Sequence, residues 1–439
     1  MSPKNTAFVL LSFEGPDKYS LVGGLGTRMV ELSRAMSDNG FFNSFFFIGD
    51  PAMEPKVVEG TTTFYRECRN TAAMYPDGVY CGEREKIAEW NSTVPEKVVS
   101  EVVLPAARSG RLTVVMAEDW HTAESVVALD GLLRRMGLRE HCVILWNINN
   151  EYGMSGVDLK RLSSVCTVTT VSEFMSKRMR SRHSITARTI PNGIPARIIG
   201  PPSDDVIDAI SGCFDGLMLQ KVARYDSDKN WISAIETVAS LKKEGLRPRF
   251  LMRGGAQPYR AEVIRRINSL SLSYATVSLV DPSFDAMIDA FRRYSAFDII
   301  EMDFFIEEDF LMNMYGSADF VFANSAYEPF GIVGLEVMAK RGLAILGCTG
   351  EDYAEHCVNS IRTDSENPEE LKDIIMSLVS DPERSEKIRD AGLNTAKSFT
   401  WDRALSILID NVEQIAEAYN IPAAGNGCHS KGKAYLVGV

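Results

Sequence analysis

Glu328 and Glu336 stand eight residues apart across a proline–glycine corner, Glu328-Pro329-Phe330-Gly331-Ile332-Val333-Gly334-Leu335-Glu336. A residue before proline is held out of the helical region, which predicts that Glu328 sits on a loop and faces outward. From Gly331 the apolar residues Val333, Leu335, Val337 and Met338 take helical spacing, carrying Glu336 into a helix near its start. Two acids so placed can hydrogen-bond one ligand, while N–H groups around Gly331 can face an anion; a strand–helix join with two solvated acids is the competing reading. Arg224 and Lys229 form a second constellation, in Ala223-Arg224-Tyr225-Asp226-Ser227-Asp228-Lys229-Asn230. An arginine that grips two phosphate oxygens, with a lysine point charge beside it, makes a diphosphate clamp. Surface pairing of those cations with Asp226 and Asp228 is its alternative, and the same cations disfavour a metal at the Asp-x-Asp spacing. A third candidate is Gly23-Gly24-Leu25-Gly26, where glycines let backbone approach a ligand at a helix start. A turn that only caps the helix reads equally well. The chain shows neither G-x-G-x-x-G after its first strand nor Gly-Lys-Ser/Thr after these glycines, which argues against a dinucleotide fingerprint and a P-loop. His121, in Glu118-Asp119-Trp120-His121-Thr122-Ala123, follows another strand; a lone histidine there is more often structural.

The elements that must position these residues alternate. Short apolar runs predict strands at 7–13, 41–48, 112–117, 143–146, 166–171, 217–222, 250–252, 276–280, 320–323 and 343–346. Helical spacing predicts helices at 27–39, 83–90, 95–108, 123–136, 229–244 and 258–270. Ser172 is the expected N-cap of the helix that follows it. Residues 50–82 give no clear pattern. Gly200-Pro201-Pro202-Ser203-Asp204-Asp205 has linker composition, so two α/β domains are expected, 1–199 and 200–400, each a doubly wound Rossmann-like sheet, with a cleft between them. Ligands of such sheets bind at the carboxyl ends of the strands, which is where all the candidate residues fall.

The net charge of −12, 47 basic against 59 acidic residues, disfavours nucleic acid as a partner. Lys177-Arg178-Met179-Arg180-Ser181-Arg182-His183 is the one basic run. It reads as a solvated helix face or as a docking patch for an acidic acceptor or lipid head groups. Eight scattered cysteines without a C-x-x-C pair fit reduced thiols, and no apolar run is long enough to span a bilayer. A soluble, cytoplasmic protein with at most peripheral membrane contact is expected, and a homo-oligomer stays open.

The E-x7-E segment in its E-P-F-G form resembles the signature of retaining, nucleotide-sugar-dependent glycosyltransferases of the GT-B type, family 4 in particular. Gly23-Gly24-Leu25-Gly26 and Asp119-Trp120-His121 are similar to motifs of glycogen and starch synthases, and Arg224 with Lys229 resembles the family's G-R-x-x-x-x-K-G segment. Pro191-Asn192-Gly193 resembles the turn that ends the family's first domain. Ser398-Phe399-Thr400-Trp401 is similar to its closing element, a helix about 401–420 that returns to the first domain. There are departures. Leu21-Val22 stands where the synthases have a lysine, and Asn149-Asn150 where relatives have His-Asn. Ala223 and Asn230 replace flanking glycines, and Thr349-Gly350-Glu351 stands for a longer Gly-Gly-Pro-Glu loop.

The resemblance implies transfer of a hexosyl group, glucosyl from a donor such as UDP-glucose in the first instance, to a hydroxyl acceptor with retention. It implies catalytic roles for Glu328, His121, Arg224 and Lys229. Donor contacts would come from Gly23, Gly24, Arg224, Lys229, Glu328, Phe330, Gly331, Ile332, Val333 and Glu336. Glu328 would hold sugar hydroxyls, Glu336 the ribose, and His121 the sugar near the reacting carbon. No cofactor and no metal are implied, the nucleotide sugar being a co-substrate. The acceptor would be a small sugar, a glycoside or a lipid-linked sugar in carbohydrate biosynthesis. A glycosyl phosphorylase or trehalose-forming enzyme of the same fold, and a non-catalytic nucleotide-sugar-binding protein, are the alternatives. The stretch 423–439 is small and polar and reads as a loose tail.

Overall fold

The computed structural model describes residues 1–255, 257–363, 367–419 and 421; the expected tail lies outside them. Its strands and helices gather into two compact units. The first comprises 1–170, 178–190 and the described residues from Ala404 onward; the second comprises 171–177 and the described residues of 191–403. The change of unit at Pro191 falls on the Pro-Asn-Gly turn, ahead of the Gly200-Pro201-Pro202 stretch.

The first unit is an eight-stranded sheet. Its strands are β1 (Thr6–Leu11), β2 (Phe42–Ile48), β3 (Lys56–Glu59), β4 (Thr62–Glu67), β5 (Leu112–Glu118), β6 (Cys142–Ile148), β7 (Thr167–Thr170) and β8 (Arg188–Thr189). They lie in the order β3-β4-β2-β1-β5-β6-β7-β8, parallel except for β3 against β4. The buried central strands read as continuous apolar runs because both faces of a parallel sheet are covered. The β3–β4 hairpin and the short helix Arg69–Met74 account for the stretch whose sequence pattern was unreadable. Helices expected at 83–90 and 95–108 are one continuous element. Glu83–Val98 runs through Pro95 into a π-turn, Val99–Val103, and on to Leu104–Arg108. Proline removes only its own N–H donor and fits best at a helix start, which is why it read as one.

The second unit is a seven-stranded, wholly parallel sheet. Its strands are β9 (Leu217–Val222), β10 (Pro248–Arg253), β11 (Tyr274–Val277), β12 (Ile299–Met302), β13 (Phe320–Ala323), β14 (Ala344–Leu346) and β15 (Ile361–Arg362), in the order β11-β12-β10-β9-β13-β14-β15. Leu219, Trp231, Phe250, Phe320, Phe322 and Ile345 anchor its core. β11 lies earlier than the expected 276–280; Val280 is exposed ahead of Pro282. Strand order reverses direction between β9 and β13, so the loops after these two strands flank a topological switch point. In the first unit the reversal falls between β1 and β5.

The second unit closes on itself through Gly193. Ile194 N–H donates to Phe399 C=O at 2.8 Å and Trp401 N–H to Ile194 C=O at 3.3 Å. A Cβ on Gly193 would run into the backbone of Thr400 and Trp401. Gly193→Ala should therefore cost about 1–3 kcal/mol of stability, read as a lower denaturant midpoint at unchanged slope.

Candidate functional site

In the second unit the loops after β9 and β13 are tied together by the Ala326 N–H, which donates to Asp228 C=O at 2.8 Å. This sets Lys229 against Glu328: the ammonium lies 2.8 Å from Glu328 Oε1 and 3.3 Å from Asp228 Oδ2. Burial pulls the Lys229 ammonium down, and Glu328 and Asp228 more than offset it, so the net shift is upward.

The Glu328 backbone is held from two sides. Its N–H donates to Thr349 Oγ1 at 2.8 Å, and its C=O accepts from the Gly350 N–H at 2.8 Å. Ser172 caps its helix through the Met175 N–H at 3.1 Å, as expected, and its hydroxyl donates to Pro329 C=O at 2.5 Å. Gly331, at φ +75°, turns the chain into the helix Ile332–Ala339, and the Tyr353 hydroxyl donates to its C=O. The result is a pocket of about 130 Å³ lined by Lys221, Lys229, Ser325, Glu328, Gly331, Ile332 and Val333 among others. The first N–H groups of the helix have no acceptor within it.

Three expected donor residues stand elsewhere. Arg224 is 70% exposed and pairs with Asp226 at 3.3 Å, so the clamp has its lysine in the pocket and its arginine outside. Phe330, expected among the donor contacts, is buried against Tyr353 and Phe399, with ring centroids 5.9 and 6.4 Å away; the apolar core claims its ring. Glu336 is partly buried on the helix but does not line the pocket, and burial, with Glu308 adding, pushes its carboxyl up to about 8.

In the first unit the Gly23 N–H is already committed. It donates to Glu14 Oε2 at 2.9 Å, as do the N–H groups of Val22 at 3.2 Å and Gly26 at 3.0 Å. Glu14 is the internal anion of this helix start, which begins at Gly24. The Gly23 N–H is thus turned to Glu14, and both Gly23 and Gly24 have open space where a Cβ would stand.

His121 is 5% exposed, stacked on Phe13 at 4.3 Å and Trp120 at 4.1 Å. Its Nε2 lies 2.9 Å from Glu83 Oε1, which places the ring proton there and leaves Nδ1 an acceptor, buried with no partner among the described residues. Burial lowers the imidazole's affinity for a second proton. The adjacent Asp119, at φ +57°, accepts from the Asn149 N–H at 2.8 Å; burial, with Glu118 adding, pushes it up to about 7. The basic run is partly neutralised, since Glu151 engages Arg178, Arg182 and His183.

Sequence reasoning missed Lys221, Ser325, Glu14 and Glu83. Of these only Lys221 carried a signal, a lysine inside an otherwise buried strand.

Residues 294–395 match the family described as "Glycosyl transferases group 1". That span holds Glu328 and Glu336 but neither Arg224 nor Lys229. An uncharacterized glycosyltransferase of Methanocaldococcus jannaschii is 32% identical over 115 residues, 26% of this chain and 29% of the relative. The match thus spans under a third of that protein's length. Among solved structures, a sucrose-phosphate synthase of Thermosynechococcus elongatus superposes with a TM-score of 0.66 at 16% identity, covering 94% of this chain and all of the other. A UDP-forming α,α-trehalose-phosphate synthase of Burkholderia vietnamiensis gives 0.66 at 12% identity, over 95% of this chain and 98% of the other. The Anabaena protein HepE, solved with UDP and glucose, gives 0.60 at 14% identity, over 94% and 100%. With two parallel-sheet α/β units and these neighbours, the fold is GT-B.

Proposed function

We propose that this chain is a retaining glycosyltransferase that moves a hexosyl group, glucosyl in the first instance, from a nucleotide diphosphate sugar to a hydroxyl acceptor. The observation that carries the reading is the Lys229–Glu328 pair, 2.8 Å apart, lining a pocket beside a helix N-terminus at the switch point of a parallel sheet. Breaking the bond between sugar and diphosphate builds negative charge on the leaving group. Lys229 and the first N–H groups of the helix Ile332–Ala339 meet that charge where it develops. Arg224, exposed and paired with Asp226, swings to the same diphosphate when donor binds. Glu328 accepts from sugar hydroxyls, and Glu336 holds the ribose. For His121 the support is its unpartnered Nδ1 and the motif around it. Retention and the glucosyl preference rest on the resemblance. The chemistry calls for no cofactor, and a small sugar, glycoside or lipid-linked acceptor completes the reading.

A thermal-shift panel of nucleotide sugars tests this directly, because a ligand at 100 times its Kd stabilises by about 2.7 kcal/mol. At least one nucleotide diphosphate sugar should raise the Tm by a few degrees and give product with an acceptor. Arg224→Ala should keep the fold and lose most of the turnover. No shift with any donor, and none of the activity, would overturn the assignment; turnover only with a sugar 1-phosphate would point to a phosphorylase.

A further inference from the structure

Lys221 lies on β9 and is 1% exposed. Its Nζ donates to Asn324 Oδ1 at 2.7 Å and to Phe322 C=O at 3.4 Å, and stands 5.4 Å from the centre of the Trp231 ring. All of these partners are neutral. The nearby charges are Lys229, Glu328 and Asp228, and both carboxylates are engaged by Lys229. Among the described residues no carboxylate lies within ion-pair distance of Lys221. Burying an ammonium without a counterion costs several kcal/mol, and an apolar residue in the same strand would avoid that cost. Lys221 also lines the pocket, next to Lys229 and the helix N-terminus that follows Gly331.

We propose that Lys221 is a further anion-contacting residue of this pocket, holding the diphosphate of the bound nucleotide together with Lys229. The proposal rests on the donor-site reading above. It explains a charge that the folded chain alone leaves uncompensated, and it makes anion binding proton-linked. Burial, with Lys229 adding, brings the Lys221 ammonium down to about 7. An incoming diphosphate favours the charged form, so near neutrality a proton is taken up from solvent as the anion binds.

The test compares wild type with Lys221→Met and Lys221→Gln by calorimetric titration with UDP, GDP and ADP and their parent nucleosides. Buffers of different ionisation enthalpy report proton uptake. Wild type should bind one diphosphate with uptake of protons above pH 7, and its affinity should fall as pH rises through about 7. Both variants should lose the uptake and bind that diphosphate at least about tenfold more weakly, with nucleoside affinity unchanged. Lys221→Met should melt no lower than wild type, since it removes an uncompensated charge. Lys221→Gln keeps a donor for Asn324, so a strut role would leave it with wild-type affinity, and that result overturns the proposal. So does wild-type diphosphate binding by Lys221→Met, in which case the donor-site reading survives. If wild type binds none of the three diphosphates, both fall.

Discussion

Lys229→Met should lower kcat/KM for glycosyl transfer by about 10²–10³-fold, the usual cost of removing one preorganised group from a developing negative charge. The fall should sit mainly in kcat, because the charge that Lys229 meets is larger in the transition state than in the bound donor. Glu328→Gln should produce a loss of similar size by another route. It replaces the charged acceptor for sugar hydroxyls with a weaker neutral amide and takes the carboxylate away from the Lys229 ammonium 2.8 Å distant. The two residues touch, so their effects should not add. The double variant should be better than the product of the single losses, with a coupling of about 0.5–3 kcal/mol. Steady-state kinetics of the four proteins closes the cycle. Strictly additive losses would mean that Lys229 and Glu328 act on separate steps, and wild-type turnover in either single variant would remove the pair from catalysis.

The corner that holds Glu328 was legible because local rules write it. Pro329 keeps the preceding residue off the helix, and Gly331 takes a positive φ that other residues avoid. The alternation of strands and helices was legible for the same reason. What stayed hidden depends on pairing across distance. The glycines after β1 carry the look of an anion site, yet the anion is Glu14, delivered from the strand end by a turn with no periodicity of its own. Glu83 reaches His121 from a helix 38 positions earlier. Lys221 follows Gln220 at the end of an apolar run, a pattern equally fit for an exposed strand end; its burial comes from the central place of β9 in the sheet. Arg224 shows the converse: the motif marks it correctly as a loop cation, while its side chain goes to Asp226, the alternative its own sequence offered.

Glu351, whose role the sequence left open, is the buried acid whose removal should stabilise the fold. Its Oε2 accepts from the Thr349 N–H at 3.0 Å, its Oε1 is buried without a partner among the described residues, and it packs against Gly331. Burial, with the Glu328 carboxylate adding, raises it from 4.5 to about 7. The sign follows from proton counting. Between those two values the native chain holds the proton while the unfolded chain has lost it, so stability falls as pH rises from about 4.5 to 7 and is level above. The full difference is on the order of 3 kcal/mol. Asp119 and Glu336 shift in the same direction, so the wild-type curve alone will not isolate Glu351. The difference between wild type and Glu351→Gln does. That variant keeps an acceptor for Thr349 and cannot ionise, so its advantage should grow from near zero at pH 4 to a few kcal/mol at pH 8. Denaturant titrations across that range measure it, and a difference independent of pH would show that Glu351 ionises as readily in the fold as out of it. In the Glu328→Gln background the advantage should shrink, because one source of the shift is gone. Below about pH 7 the neutral Glu351 carboxyl beside Gly331 leaves the helix N-terminus unopposed by a second negative charge, and the ionisation that costs stability on the way to pH 7 is the same one that would oppose an anion in that pocket.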